Sequence, residues 1–392
     1  MTAPIYLDYA ATTPVDARVL EAMLPYFHAS FGNPSSVHRF GQVAEAAVDS
    51  ARETVASVLN CRPDEIVFTS CGSESDNLAL RGAMLASLAG RKNNRTWLLT
   101  SRVEHHAVSK TAEQLEKYYG VQVEWLPVDA RGMVTPDAMR AAVRDATALA
   151  SVMLANNEIG TINPVAELAA ICRERGILFH TDAVQAAAYL DVDVQTLGVD
   201  LLSLGAHKFY GPKGVGALYV RKGTQIVPHL TGGGQEFGLR AGTQNVPYIV
   251  GFAEALRLAQ EEREARVAHV QPLRDQIIGR VLEEIPDSQL TGHPENRLPN
   301  HASFVFKNVD GNLLLQLLDA NGFACSSGSA CKTGNPEPSE VVTALGLARD
   351  WALGSLRVTL GKDSTPEQID LFLKTLPPLV SKARGLTGDK RR

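Results

Sequence analysis

The sequence predicts an α/β protein in which a mainly parallel sheet carries helices on both faces. From about residue 36 to residue 220, short apolar runs alternate with segments of helical period, and short turns join them. The composition is that of an ordinary globular protein, since 45% of the 392 residues are hydrophobic and 21% are charged. A chain of this length can bury a large core without disulfides.

The elements of the first part follow one another in regular order. Asn33-Pro34-Ser35 is a helix start signal, and apolar residues at helical spacing then predict a helix over residues 35–60. The next predicted elements are, in chain order, the strand EIVFTS, the helix ESDNLALRGAM, the strand TWLLT, the helix HAVSKTAEQLEKYY, the strand VQVEWL, a helix near residues 135–144, the strand TALASVML, the helix VAELAAICRER and the strands ILFHT, DLLSL and VGALYV.

The pattern changes after Val246, where a charge-rich helical stretch over residues 249–285 has the character of a domain connector. The remaining predicted elements are the strand HASFVFK, the helix NLLLQLLDA, the strand FACSS, the helix SEVVTALGL, the strand SLRVTL and the helix TPEQIDLFLKTL. We therefore predict a large domain over residues 16–255 and a small α+β domain made of residues 1–15 and 256–392.

Composition and charge argue against several classes of function. The net charge is −5 without a basic stripe, so no nucleic-acid partner is predicted. No apolar run approaches the ~20 residues of a membrane helix, and the N-terminus lacks the regions of a signal peptide. The five cysteines are scattered and odd in number, which favours a reducing compartment, and neither HExxH nor CxxC indicates a metal site. We predict a cytoplasmic protein without a membrane partner.

Two strand ends carry residues that suit a ligand, and ligands of open α/β sheets bind at the carboxyl ends of strands. Asp182 ends the apolar strand ILFHT, where a cationic ring nitrogen would satisfy a carboxylate that is costly to bury alone. Gln185 follows three residues later and could reach the same ligand. Lys208 follows the strand DLLSL, and a lysine in a water-poor pocket loses its proton more easily and becomes a nucleophile.

Three earlier strand ends give weaker signals. The turn TSCGSESDN offers free backbone N–H groups at a helix N-terminus, which suits a phosphate or is an ordinary helix start. In EHHAV, one histidine could stack on a flat ligand or be a plain surface residue, and NNEIG is either a polar donor site or a turn. Taken together, an acid, a lysine and a phosphate-type turn at the ends of one sheet match the needs of pyridoxal phosphate.

The loop ACSSGSACKTGNPEPS, residues 324–339, carries Cys325 and Cys331 among residues that cannot build a core. An exposed thiol on such a loop can ionise and be reached by a reactant.

The chain resembles the cysteine desulfurases of the NifS/IscS group, within the class V aminotransferase-like fold, over nearly its whole length. The resemblance rests on the motifs YLDYAATTPVD, FGNPSS, FTSCGSESDNLAL, EHHAV, NNEIG, HTDAVQ, AHKFYGPKGVGALYV, GGGQEFGLRAGT, SSGSAC and SLRVTLG. It implies the type I fold of pyridoxal-phosphate enzymes, with a large cofactor-binding domain and a smaller domain that carries the cysteine loop.

The resemblance also implies roles for individual residues. Lys208 resembles the Schiff-base lysine that also moves the Cα proton, and His105 resembles the residue that stacks on the ring and handles a substrate proton. Arg357 is similar to the arginine that clamps the substrate carboxylate. The implied cofactor contacts are Gly72, Ser73, His105, Asn157, Asp182, Gln185, His207 and Lys208, and Asn157 is also implied in substrate binding.

Two further residues carry implications for assembly and sulfur transfer. Thr243 resembles the residue that reaches the cofactor phosphate of the neighbouring subunit, which implies a homodimer. Cys331 resembles the nucleophile that takes sulfur from L-cysteine as a persulfide and leaves alanine. The acceptor of the sulfur stays open between an iron–sulfur scaffold, a tRNA-thiolation relay and a cofactor-biosynthesis protein. No resident metal is implied, although Cys331 could ligate a cluster during transfer.

The sequence departs from the family pattern at three places. Gly205 stands where a serine commonly precedes Ala-His-Lys, so one phosphate hydrogen bond is expected to be lost. Cys325 is interpreted as a small buried residue rather than a resolving thiol or second metal ligand. The residues after TLPPLVSKARGL do not match the longer segment with which housekeeping members dock the scaffold.

Three other functions are weighed beside the desulfurase. A selenocysteine lyase would prefer selenium, and a small-amino-acid transaminase would have no use for Cys331. A non-catalytic sulfur or iron–sulfur carrier would leave Lys208 and Asp182 without a role and would lack cofactor absorbance.

Overall fold

The computed structural model describes residues 4–90, 95–327 and 337–389, and it contains twelve strands within these ranges. The strands are β1 (Ile5–Tyr6), β2 (Ile66–Thr69), β3 (Trp97–Ser101), β4 (Gln122–Leu126), β5 (Thr147–Ser151), β6 (Leu178–Asp182), β7 (Leu201–Gly205), β8 (Gly216–Val220), β9 (Ser288–Leu290), β10 (His301–Phe306), β11 (Phe323–Ala324) and β12 (Ser355–Thr359).

Fourteen α-helices and three short 3₁₀ turns complete the described elements. The helices are α1 (Ala17–Met23), α2 (Pro25–His28), α3 (Arg39–Leu59), α4 (Gly72–Ala89), α5 (His106–Tyr119), α6 (Pro136–Ala142), α7 (Val165–Glu174), α8 (Val194–Leu197), α9 (Val246–Glu261), α10 (Arg263–Glu284), α11 (Gly311–Ala320), α12 (Glu340–Ala344), α13 (Arg349–Ala352) and α14 (Pro366–Asp389). The 3₁₀ turns are Pro63–Glu65, Ala206–Lys208 and Glu236–Gly238.

The central sheet has seven strands in the order β2-β8-β7-β6-β5-β3-β4. The pairs from β7 through β6, β5 and β3 to β4 are parallel, whereas β8 runs antiparallel to both β7 and β2. The predicted α/β class with a mainly parallel sheet is therefore confirmed. Parallel neighbours place their carboxyl ends along one edge, and this edge carries the site.

Both faces of the sheet are buried, which explains the nearly continuous apolar runs of its strands. Leu98 and Leu149 pack in one core with side chains of α4 and α5. Their chain neighbours Leu99 and Ala150 point to the opposite core, which is built with α3, α7 and α9. Period-two alternation along each strand thus serves two helical layers.

The later part of the chain forms a separate antiparallel sheet in the order β12-β10-β9. The first strand β1 pairs in parallel with β11, and Asp8 bridges to Thr359 of β12. The N-terminal residues therefore lie among elements from the last third of the chain. The domain boundaries at residues 15 and 255 remain a prediction.

Several predicted boundaries differ from the structure for physical reasons. The first long helix begins at Arg39 because the His38 imidazole accepts from the Gly41 amide and caps it there. Helix α14 continues through Pro377 and Pro378, although proline lacks an amide donor. Its buried side chains pack in the main core between α10 and α11, and this packing overrides the local cost.

Within the described residues, no helix is both long enough and apolar enough to cross a membrane.

Candidate active site

A cavity of about 220 Å³ lies at the carboxyl edge of the central sheet. Its lining residues are Ala10, Ala11, Cys71, Gly72, Ser73, Asp76, His105, Met153, Asn157, Asp182, Val184, Gln185, His207, Lys208 and Arg357. Nine of the predicted site residues therefore meet in one place. Thr243 does not line this cavity, and Cys331 lies outside the described residues.

Lys208 projects into the cavity from the 3₁₀ turn that follows β7. Its Nζ donates to the carbonyl oxygens of Ala10 at 2.6 Å and Ala11 at 2.8 Å. Burial, and next the positive charge of Arg357, lower the pKa of Lys208 to about 8. The amine is thus a better nucleophile near neutral pH than an ordinary lysine.

Asp182 is the last residue of β6 and is only 5% exposed. Its Oδ1 accepts a hydrogen bond of 2.9 Å from the Val184 amide, which fixes the carboxylate against the cavity. Burial raises the pKa of Asp182, and the nearby His105 opposes this shift. A cationic ligand at this position would restore the charge balance.

Two further buried acids surround Asp182. Asp76 lies one turn into α4, and its Oδ1 has no hydrogen-bond partner among the described residues, 3.6 Å from the His180 Nε2. Glu104 accepts from the Ser101 hydroxyl at 2.7 Å, and burial raises its pKa to about 8. Burial also holds the pKa of Asp76 well above its usual range, with the charge of Asp182 contributing.

His105 caps the N-terminus of α5, where its Nδ1 accepts a hydrogen bond of 3.1 Å from the Ala107 amide. With Nδ1 held as an acceptor, the neutral ring carries its proton on Nε2. Desolvation by the cavity wall lowers the pKa of His105. The predicted role as a ring-stacking, proton-handling residue is compatible with this placement.

The turn before α4 forms another wall of the cavity. Cys71 occupies the N-cap without a side-chain hydrogen bond, so the first amides of this 18-residue helix are not capped by a side chain. A Cβ atom at Gly72 would lie 2.7 Å from the Val184 Cγ2, so only glycine lets the backbone approach there. A Cβ at Gly205 would lie 3.3 Å from the Gly72 nitrogen, which places this departure from the family beside the turn.

Two other polar wall residues are tied to the N-terminal segment. His207 Nδ1 lies 3.2 Å from the Thr12 hydroxyl, and burial lowers the pKa of His207 to about 4. Gln185 donates from Nε2 to the Ala10 carbonyl at 2.9 Å. Both contacts connect the cavity to the N-terminal segment.

Arg357 enters from β12 at the opposite end of the cavity and is 7% exposed. Its Nη2 donates to Asp8 Oδ1 at 2.7 Å and its Nη1 donates to the Asn157 carbonyl at 2.9 Å. The Nε is buried without a partner among the described residues. The guanidinium is therefore fixed in orientation and retains a donor for a ligand carboxylate.

A second cavity of about 510 Å³ adjoins the first and shares His105, Asn157 and Arg357 with it. Its lining includes Glu158, whose carboxylate accepts from the Ser339 hydroxyl and whose pKa burial raises to about 7. The site thus opens outward on the Arg357 side.

Thr243 and Cys325 lie apart from the cofactor cavity. Thr243 is exposed and lines a different cavity with Ser70 and Arg240. Cys325 is half-buried beside Asp8 and Arg357, and burial raises the pKa of its thiol. A thiol held protonated favours the interpretation of Cys325 as a packed residue.

The sequence interpretation missed the N-terminal segment and the buried acids as parts of the site. Ala10 and Ala11 contribute backbone carbonyls to the site, and an alanine side chain does not indicate such a contact in the sequence. Asp76 and Glu104 could have been found as acids adjacent to the apolar strands β2 and β3. Among residues 4–90, 95–327 and 337–389, no group of three or more histidine, cysteine or acidic side chains could hold a metal ion.

Comparisons with known proteins bear on the whole chain. The family model described as aminotransferase class-V matches residues 5–372. A relative named cysteine desulfurase IscS, from Dictyoglomus turgidum, is 46% identical over 391 residues, which cover 100% of this chain and 98% of that protein.

Solved structures agree with the sequence match. A NifS-like protein has a TM-score of 0.89 at 39% identity and covers 97% of this chain and 100% of that one. A structure described as SspA in complex with cysteine has a TM-score of 0.78 at 37% identity, over 92% of this chain and 99% of that one. The resemblance drawn from the motifs is confirmed, and the chain belongs to the class-V aminotransferase family, among relatives named cysteine desulfurase IscS.

Proposed function

We propose that this protein is a pyridoxal-phosphate-dependent cysteine desulfurase, which converts L-cysteine to L-alanine and an enzyme-bound persulfide. The observation that carries the proposal is the meeting of Lys208, Asp182, His105 and Arg357 in one cavity. A nucleophilic amine, an acid for a ring nitrogen, a proton carrier and a carboxylate clamp are what this reaction needs.

The cavity residues fit pyridoxal 5'-phosphate. Asp76 Oδ1 and Arg357 Nε are buried polar atoms of the lining without partners in the described part of the chain, which suits a polar ligand. Asp182 would hold the ring nitrogen, Lys208 would attach to the aldehyde, and the uncapped amides of α4 would hold the phosphate. When bound, the cofactor supplies an electron sink for negative charge that develops at the substrate Cα.

The residues of the chain supply binding and proton transfer. Arg357 holds the substrate carboxylate and so orients the Cα proton toward the Lys208 amine, whose pKa of about 8 lets it accept that proton. Asp182 would accept a hydrogen bond from the ring N–H of the bound cofactor. His105 carries a proton on Nε2 at the cavity mouth.

Sulfur transfer is assigned to Cys331 on the strength of the family resemblance. Its thiolate sulfur forms a bond to the substrate sulfur, the bond between that sulfur and Cβ breaks, and the electron pair stays with Cβ. Protonation of Cβ completes alanine, so one cysteine and one thiol give one alanine and one persulfide. The persulfide sulfur then passes to an acceptor protein, for which an iron–sulfur scaffold is the proposed class.

A homodimer and a cytoplasmic location belong to the same proposal. Exposed large apolar side chains are concentrated near α1, α2 and the start of α3, and such a surface marks a protein contact. These side chains are Leu20, Leu24, Phe27, Phe31, Val37, Phe40 and Val43. A second copy of the chain would cover this face and receive Thr243, which stands outside its own cofactor cavity. The cytoplasmic location rests on the scattered cysteines.

The test is alanine release from L-cysteine by the cofactor-loaded protein, beside the Cys331→Ala variant and the control Cys61→Ser. With a reductant present, the parent and the control are expected to make alanine over many turnovers, and Cys331→Ala is not. Equal activity of all three proteins would disprove the role of Cys331. A yellow protein that makes no alanine would keep the cofactor assignment and reject the substrate, and a colourless one would favour a sulfur carrier.

A further inference from the structure

The segment of residues 231–245, which carries Thr243, is rich in glycine and needs an anchor. Five of its fifteen residues are glycine, so its backbone loses much conformational entropy when it becomes ordered. Its one regular element is the single 3₁₀ turn Glu236–Gly238. The segment is held by the contacts of this turn and by the ion pair of Arg240 with Glu74 of α4.

Glu236 is the anchor, because its carboxylate is paired in the protein interior. Arg52, in the middle of α3, donates from Nη1 to Oε2 at 2.8 Å and from Nη2 to Oε1 at 2.9 Å. Arg52 is 6% exposed and Glu236 is 4% exposed. The Phe68 amide of β2 also donates to Oε2 at 2.8 Å, so the carboxylate is fixed to a helix and to the central sheet.

The backbone at this anchor is strained. Glu236 has φ 46° and Phe237 has φ 57°, so two successive residues other than glycine adopt the left-handed conformation. Such strain persists where surrounding contacts over-determine it, and it occurs at functional sites. The Arg52 guanidinium supplies such contacts, because it lies 4.9 Å from the ring centroids of both Phe68 and Phe237.

The anchor is coupled directly to Thr243. Gln244, the next residue, donates from Nε2 to Glu236 Oε1 at 2.6 Å. On the other side, the Gly242 amide donates to the Gln235 side-chain oxygen at 3.2 Å. Both chain neighbours of Thr243 are therefore tied to the strained turn or to the residue before it, while Thr243 itself is exposed.

Within its own subunit, Thr243 is exposed and does not line the cofactor cavity. Phe237, beside the anchor, is 57% exposed. A buried ion pair that only stabilised the fold would not require an exposed threonine to be fixed on both sides.

We propose that Arg52 is a positioning residue that, through Glu236 and Gln244, presents Thr243 to the cofactor phosphate of the partner subunit. Arg52 thus controls the cofactor affinity of the other subunit and not that of its own. This inference rests on the proposed homodimer and on the proposed contact of Thr243.

Hybrid dimers test the direction of this effect. In the first hybrid, one chain carries Lys208→Ala and the other carries Arg52→Met. Lys208 then remains only in the Arg52→Met chain, and its site receives Thr243 from the chain that retains Arg52. In the second hybrid, one chain carries both substitutions and the other is wild type. Lys208 then remains only in the wild-type chain, and its site receives Thr243 from the chain that lacks Arg52. Distinct affinity tags isolate each hybrid.

The measurement is occupancy of Lys208 by pyridoxal phosphate as a function of its concentration, after borohydride reduction and mass spectrometry of the Lys208 peptide. The second hybrid is expected to need a concentration higher by about tenfold or more, as for the loss of a hydrogen bond to a charged group, while the first matches the wild type. The reverse result would place the effect of Arg52 within its own subunit. Equal weakening of both hybrids, or of neither, would also overturn the proposal.

Two further variants complete the test: one replaces Arg52→Met if that chain does not fold, and the other is a control. Glu236→Gln breaks the charge pair with a side chain of the same shape and replaces Arg52→Met in the same hybrids if that chain does not fold. Arg62→Met is the matched control, since Arg62 makes the same forked contact with Asp64 but is 60% exposed. Used in place of Arg52→Met, it is expected to leave the occupancy of Lys208 unchanged in both hybrids. A loss of occupancy as large as that caused by Arg52→Met would show that Arg52 has no special role.

The outcomes separate this inference from the proposed function. A wild-type chain that stays monomeric would reject the homodimer, and the inference with it. A dimer that binds the cofactor but makes no alanine would reject the desulfurase activity, while the occupancy of Lys208 in the hybrids would still decide the role of Arg52.

Discussion

The two ends of the cofactor cavity have opposite electrostatic character. At the end near β6, the buried acids Asp182, Asp76 and Glu104 lie close together, and no lysine or arginine in the described part of the chain forms an ion pair with them. At the other end, the Arg357 guanidinium is paired with Asp8, and its charge helps to lower the pKa of Lys208.

This difference orients a ligand that carries both charges. The acid end accepts a single cation, such as a protonated ring nitrogen, and the basic end accepts a carboxylate. A pyridinium ring at the acid end and a substrate carboxylate at the basic end would match these charges, and the following substitutions test each end.

Removal of the reactive amine should have the largest effect. Lys208→Ala is expected to lower alanine formation by about 10³–10⁴-fold, because the chain loses both its nucleophile and its proton acceptor. Borohydride reduction should leave no cofactor attached to the chain. The measurement is the steady-state rate, together with the absorbance of the dialysed protein.

Lys213→Ala is the matched control for that substitution. Lys213 is exposed on the same glycine- and proline-rich turn but does not line the cavity. It should keep the parental rate and the attached cofactor. Equal losses in both variants would mean that the turn, and not the Lys208 amine, is what matters.

The roles of Asp182 and Asp76 at the acid end can be distinguished by replacing each aspartate with an asparagine of the same size. Asp182→Asn should lower kcat by about 10²–10³-fold, because an amide does not stabilise a ring cation. Asp76→Asn should change kcat by no more than about twofold, since burial and the charge of Asp182 raise the pKa of the Asp76 carboxyl and so disfavour its charged form. Rates and cofactor absorbance spectra of both variants give the comparison, and similar losses in the two would show that both acids carry charge.

Much of this arrangement could be predicted from the sequence, because strand ends in a parallel sheet converge. Asp182 and Lys208 were separated by 26 positions, yet both follow apolar strands, and adjacent strands place them in one cavity. Helix α5 spans residues 106–119, as its apolar period predicts. Local sequence patterns were sufficient to predict a site residue where the residue type itself indicates a functional role, as for an acid or a lysine that follows an apolar strand.

Other features could not be predicted, because they depend on long-range packing. The carbonyl groups of Ala10 and Ala11 reach Lys208 across nearly 200 residues of chain, and backbone oxygens have no residue-specific signal. The burial of Asp76 depends on where α4 lies against the sheet. The Arg52–Glu236 pair, which holds the turn before Thr243, joins residues that are 184 positions apart.

The basic end is tested by Arg357→Lys, which keeps the positive charge but loses the forked N–H donors of the guanidinium. The KM for L-cysteine is expected to rise about 10- to 100-fold, because one charge-assisted hydrogen bond to the carboxylate is lost, while kcat falls less. The measurement is the separate determination of kcat and KM. Arg140→Lys, in an exposed ion pair with Asp137, serves as the control and should leave both constants unchanged. A fall in kcat with constant KM would instead assign Arg357 to the chemical step.

The last expected effect is a dependence of stability on pH at the acid end. Burial raises the pKa of Glu104 from about 4.5 in the unfolded chain to about 8, so the folded protein retains a proton that the unfolded chain releases. The contribution of Glu104 to the unfolding free energy therefore falls as the pH rises from 4.5 to 8. Glu104→Gln removes this titration, and its advantage over the parent should grow by about 3 kcal/mol between pH 5 and pH 8. Thermal unfolding at both pH values measures this, with the exposed Glu113→Gln as control, and a constant difference would show that Glu104 is ionised throughout.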